Sequence, residues 1–160
     1  MISRWSDFFV VVGGASAALT GLLFVAVSLR PREIRESPLM IGRARAAFYG
    51  FAAGLFVSLI ALAGSTSRLL GLAELGVVIV VWALSFRFTA AGIRARKINY
   101  GRALVYQLGL VVIGVAGVGR AVSGVRQWNE VMLAIGILLL LGIALSNSWQ
   151  LVVSHESSST

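Results

Sequence analysis

The chain has 160 residues, 58 % of them hydrophobic and only 12 % charged, with a net charge of +8. That charged share is about half the usual value for a soluble domain, and a water-soluble fold of this size could not hide so much apolar surface. Cysteine is absent, which excludes disulfides, thiol catalysis and cysteine-ligated metals. The basic residues also sit between apolar blocks, not on an extended surface interleaved with aromatics, so nucleic acid is not an expected partner.

Five apolar blocks follow one another at about residues 8–29, 46–63, 69–91, 103–122 and 131–153. Each is close to the ~20 residues needed to cross a ~30 Å hydrocarbon layer. Backbone groups in lipid must be satisfied within the segment, so each block is expected as a helix. The pattern predicts an all-α polytopic membrane protein, a bundle of five transmembrane helices forming one domain over residues 1–153. The second block is the shortest and the fourth the most glycine-rich, which leaves a four-span reading open. A polar tail, SHESSST, ends the chain at residues 154–160.

The first block contains VVGGASAALTGLLFVAVSL. Its apolar run exceeds the ~7–15 residues of a signal h-region, so it is expected as a retained span. A phosphate loop would need a Lys beside the glycines, yet the only Lys is Lys97. A dinucleotide fingerprint is likewise missing. On a helix, Gly13, Ala17 and Gly21 recur every four residues, with Gly14 and Ala18 beside them. Small residues at this spacing let helix backbones approach closely in lipid. Span one is therefore expected at the centre of the bundle, and Gly50 and Gly54 in span two form a second such face as its plausible partner. Ser16 and Thr20 can return their hydroxyls to the backbone or reach a neighbour. The face could instead border a subunit interface or a narrow passage.

Between spans one and two lies RPREIRESPLMIGRAR, with Pro31 and Pro38. It is expected as a solvated loop, with a short surface helix against anionic headgroups as the alternative. GSTSR and SGVRQWNE should close tight hairpins between spans two and three and spans four and five. Trp5, Trp128 and Trp149 fall where interfacial aromatic anchors are expected.

Ionisable residues within a span are functional candidates because burying them in lipid is costly. Glu74, in span three, is a candidate ion or proton site, or a structural partner of Arg68, Arg120 or Arg126. Arg87 lies near the other end of that span and can snorkel to the headgroups. The two are ~220° apart around the helix and are not a pair. Gln107 and Asn147 are candidates for polar contacts between helices, as Arg87 is if it turns inward.

Lys and Arg number nine on the side of the loops after spans one and three, against four on the other side, leaving Arg87 aside. The positive-inside rule then places the N-terminus outside and the C-terminus in the cytoplasm. Thirteen Arg to one Lys hints at a GC-rich bacterial source and hence the inner membrane. The first span, with Phe8, Phe9, the cluster from Gly13 to Ala18 and LTGLLFVAVS from Leu19 to Ser28, resembles the opening of a group of small bacterial integral membrane proteins with no established activity. The likeness covers about thirty residues and implies a shared membrane architecture only.

Catalysis has little to work with. The single histidine, His155, is in the tail, and an unassisted Ser or Thr is a poor nucleophile. No catalytic, cofactor or metal residues are expected. The expected role is a non-enzymatic one, through helix–helix packing, as a subunit, scaffold or regulator of a membrane complex. Its partners would be the lipid bilayer, with anionic headgroups on the cytoplasmic side, and either a second copy or another membrane protein. The alternative is an oligomeric ion channel or small transporter, with a pathway near Glu74 or the small-residue face of span one.

Overall fold

In the computed structural model the chain is described over residues 2–29, 31–63, 68–94, 100–123 and 126–153, with side chains described there except at 2–4, 33, 87–94, 100, 102, 152 and 153. Among the described residues six helices follow in order: α1 (Ile2–Leu29), α2 (Pro31–Glu36), α3 (Pro38–Leu62), α4 (Arg68–Arg94), α5 (Tyr100–Ser123) and α6 (Gln127–Val153). No strand occurs among the described residues. Among the described residues five helices are long and apolar enough to cross a membrane, and the spans run Trp5–Leu29, Pro38–Leu62, Arg68–Phe86, Ala103–Ser123 and Gln127–Leu151.

Large apolar side chains such as Val11, Leu22, Phe24, Ile79, Val111 and Leu138 are uncovered along the middle of these helices. In water that surface would drive aggregation. In lipid it needs no cover, and the helices are apolar on every side for that reason.

Helices α3, α4, α5 and α6 form a closed ring, each packed on its neighbours in the order α3–α6–α5–α4–α3. Its centre is apolar, with Ala53 and Val57 of α3, Val81 of α4, Leu110 and Ile113 of α5, and Leu133, Ile137 and Leu140 of α6 all buried. Helix α1 stands outside the ring, packed on α3 and lightly on α6. It inserts Phe9 and Val12 into the same cluster. The expectation that span one is central is therefore corrected. A slim helix does not need to be surrounded, and the ring closes by tight contacts elsewhere.

The segment between spans one and two also differs from the expected solvated loop. Residues 31–36 form the short helix α2, whose Arg32 and Arg35 are exposed while Ile34 is half-buried. Ser37 then caps α3, accepting a hydrogen bond from the Met40 amide at 3.4 Å, and Pro38 occupies the first turn. A side-chain oxygen at the cap satisfies an otherwise orphaned N–H, and proline there forfeits no helical hydrogen bond. Span two's helix thus begins eight residues before the expected 46. The α5–α6 hairpin is shorter than SGVRQWNE suggests, because α6 already begins at Gln127. The residues of GSTSR before Arg68 lie outside the described residues.

Two close helix crossings are built on glycines. A Cβ at Gly71 of α4 would lie 2.6 Å from the Ala121 nitrogen and 2.8 Å from the Gly117 oxygen of α5. At Gly136 of α6 it would meet the Ile113 side chain at 2.5 Å and the Gly109 oxygen of α5 at 3.1 Å. Without a hydrophobic driving force between helices in lipid, such close backbone approach maximises dispersion contact.

Candidate functional site

Glu74 is completely buried, one turn along α4 from Gly71. Arg120 stands one turn along α5 from Gly117, the residue that faces Gly71, and is 3 % exposed. The glycine crossing brings the two side chains together. The Arg120 Nη1 donates to Glu74 Oε1, and its Nη2 donates to Glu130 Oε1 in the first turn of α6. One guanidinium thus ties three helices at one end of the ring. Its planar fork carries separate donors for two carboxylates, a geometry that a lysine ammonium does not match.

The surroundings seal this cluster. Asn129, also buried, fills the space beside Gly119, where a Cβ would lie 2.7 Å from its Oδ1. Ser123 donates to the Gly119 carbonyl at 2.6 Å and finishes α5 there. Two polar atoms of the cluster, Glu74 Oε2 and Arg120 Nε, are buried without a hydrogen-bond partner among the described residues. The other two cations considered for Glu74, Arg68 and Arg126, are exposed and make no ion pair with it among the described residues. Arg120 is turned inward, although it lies three residues from the end of α5 and could have snorkelled.

Glu130 was not among the residues that stood out in the sequence. It falls in WNE, which reads as loop, and only the early start of α6 carries it into the bundle. A usable signal was present, since an acidic residue in the first helical turn is favoured by the helix dipole.

The small residues of the opening stretch divide into two groups. Gly13 is buried, and a Cβ there would sit 3.2 Å from the Ser58 Cβ of α3. Gly54 faces both the Ser16 hydroxyl of α1, at 2.8 Å from an added Cβ, and Leu141 of α6 at 3.3 Å. A Cβ at Gly50 would lie 2.8 Å from the Ala144 Cβ of α6, so this part of the α3 face serves α6 and not α1. By contrast Gly14, Ala17, Ala18 and Gly21 are exposed, and a Cβ at Gly14 or Gly21 would meet nothing within 4 Å. The expectation that the whole stripe packs inside the bundle is corrected for these four. The cause is the direction of the helix: Phe9, Val12, Ser16 and Leu23 occupy the face toward α3, and the four small residues lie on the other side.

Thr20 returns its hydroxyl to the Ser16 carbonyl at 2.7 Å. Gln107 and Asn147 are both half-buried, and neither forms a hydrogen bond between helices among the described residues, which corrects the contacts expected for them. Gln107 is in heptad register with Gly114 and Ala121, on the side of α5 turned to α4 and away from α6. The Arg87 side chain lies outside the described residues. A shallow apolar groove of about 520 Å³ runs between α1 and α6, lined by Leu19, Leu22, Ala26, Leu145 and Trp149 over a floor of Phe51.

The fold and the site together define a multi-pass, all-α membrane protein held by a buried ion cluster. No family model matches the chain, and no curated protein or solved structure does.

Proposed function

We propose that this is a non-enzymatic integral membrane protein of the bacterial inner membrane, acting through helix–helix packing as a subunit, scaffold or regulator of a membrane complex. The observation that carries the reading is the uncovered face of α1. Gly14, Ala17, Ala18 and Gly21 are exposed on the side away from α3, with open space beside both glycines. Lipid tails are served as well by leucine as by glycine, so small residues at this spacing gain contact only against another helix. The occupant is a transmembrane helix of a partner or of a second copy. The likeness of this span to small bacterial membrane proteins, and the Lys and Arg bias that directs the C-terminus to the cytoplasm, agree with that setting.

The enclosure of Glu74 inside one chain supports this reading over a pathway between copies. A carboxylate that lines an oligomeric pore must face the shared axis, and Glu74 is wrapped by α4, α5 and α6 of its own chain.

A photo-crosslinking residue at position 18, compared with one at position 104, tests the proposal in native membranes. Leu104 is also exposed but lies on α5. A discrete protein adduct is expected from position 18 and not from 104, and Gly21→Leu should abolish it. Lipid adducts alone from position 18, or equal protein adducts from both positions, would overturn the docking role.

A further inference from the structure

The buried cluster contains two carboxyl groups and a single guanidinium. With both carboxyls ionised it would hold a net charge of −1 inside the bundle, and Glu74 lies ~9 Å along α4 from Arg68, the first residue of the span. Among the described residues nothing else balances it. Residues 50–62 of α3 contain no ionisable side chain, and α6 has no ionisable residue besides Glu130. On α5, Arg120 is the one ionisable residue at this end, while Arg68 and Arg126 are turned outward. An uncompensated charge in a medium of low dielectric constant is neutralised instead of being kept.

The hydrogen bonds show where the neutralising charge belongs. Arg120 spends one terminal nitrogen on each carboxyl, and Glu74 Oε2 is left buried with no donor. An ionised oxygen in that position forfeits far more solvation than a neutral one. Glu130 differs in setting: it lies in the first turn of α6, near the helix's positive end, and its side chain is 9 % exposed, whereas that of Glu74 is wholly buried. The packing leaves little room for a hydrated cation. Gly71 and Gly117 bring the backbones together beside Glu74, and a Cβ at Gly117 would lie 3.3 Å from Leu75 and 3.5 Å from the Glu74 Cβ.

We propose that the cluster is a proton-binding site: at neutral pH the Glu74 carboxyl holds one proton, Arg120 and Glu130 are charged, and the trio is electrically neutral. The neutral carboxyl still accepts from Arg120 through Oε1, so the tie between the three helices is kept. This stands apart from the docking role of α1, since the cluster is sealed inside the ring.

Infrared spectroscopy of the full chain in lipid nanodiscs, in D2O at neutral pH, tests it. The carbonyl stretch of a protonated carboxyl is expected in the native protein and lost in Glu74→Gln. It is also lost in Glu130→Gln, which leaves one carboxyl to one guanidinium, and kept at the same frequency in Glu130→Asp, where two carboxyls remain and the proton still sits on Glu74. A native spectrum without that band, or a band that persists in Glu74→Gln, would overturn the assignment. So would an absent band together with a melting temperature that rises with Na⁺ in the native protein but not in Glu74→Gln, because a metal cation would then occupy the site. A readout that needs no variant is the carboxyl ¹³C spectrum of glutamate-labelled native protein. One of the five glutamates should resonate as a protonated acid at neutral pH, and five ionised signals would contradict the proposal.

Discussion

Arg120 links α4, α5 and α6 through the two ends of one guanidinium, and all three side chains of the cluster are withdrawn from solvent and lipid. Replacing a buried ionic group by a well-packed apolar one can be neutral, but removing one partner strands the others. Arg120→Gln should therefore cost about 3–5 kcal/mol, measured by unfolding in a detergent–denaturant titration. A loss of under about 1 kcal/mol, the range of exposed pairs, would mean that the cluster does not hold the bundle. Two of the three members were visible in the sequence. Glu74 stands out as an acid inside an apolar block, and Arg120 was one of three cations within its reach. Which cation pairs with it depends on which helix crosses α4, and that is set by Gly71 and Gly117, whose contact no local pattern reveals. Glu130 was hidden by a helix boundary misplaced by a few residues.

Among the elements, the pair α4–α5 depends on backbone contact, while α1 carries glycines with nothing beside them. Gly71→Ala should push α4 off α5, because the added carbon would strike backbone atoms that cannot swing aside. A cost of about 1–3 kcal/mol is expected for such overpacking. Gly21→Ala should leave the same unfolding titration unchanged or slightly improved, since alanine has the higher helix propensity. Equal losses in both variants would show that the two faces are packed alike. The helices themselves were legible, because long apolar blocks in lipid have few alternatives. Their arrangement was not, since a chain rich in glycine offers several small-residue faces, and the spacing of Gly13, Ala17 and Gly21 says nothing about which helix lies opposite. The start of α3 is readable in principle from Ser37–Pro38, but prolines among charges equally fit a loop.

At the scale of the whole molecule, the exposed apolar belt and the aromatic ends describe one slab. Trp128 and Trp149, both about two-thirds exposed, lie near the two ends of α6. They are 21 residues apart, or ~31 Å along a helix, which matches the hydrocarbon thickness that interfacial tryptophans bracket. Orientation in the cell rests on the Lys and Arg bias, and an odd number of spans makes it testable without ambiguity. The native chain has no cysteine, so a single introduced thiol reports cleanly on its own side. The most direct measurement is labelling of Ser3→Cys and Ser158→Cys with a membrane-impermeant maleimide in intact cells. Five crossings predict that the thiol at position 3 reacts and that the one at 158 reacts only after the membrane is opened. Both thiols reacting from the same side would contradict the five-span bundle.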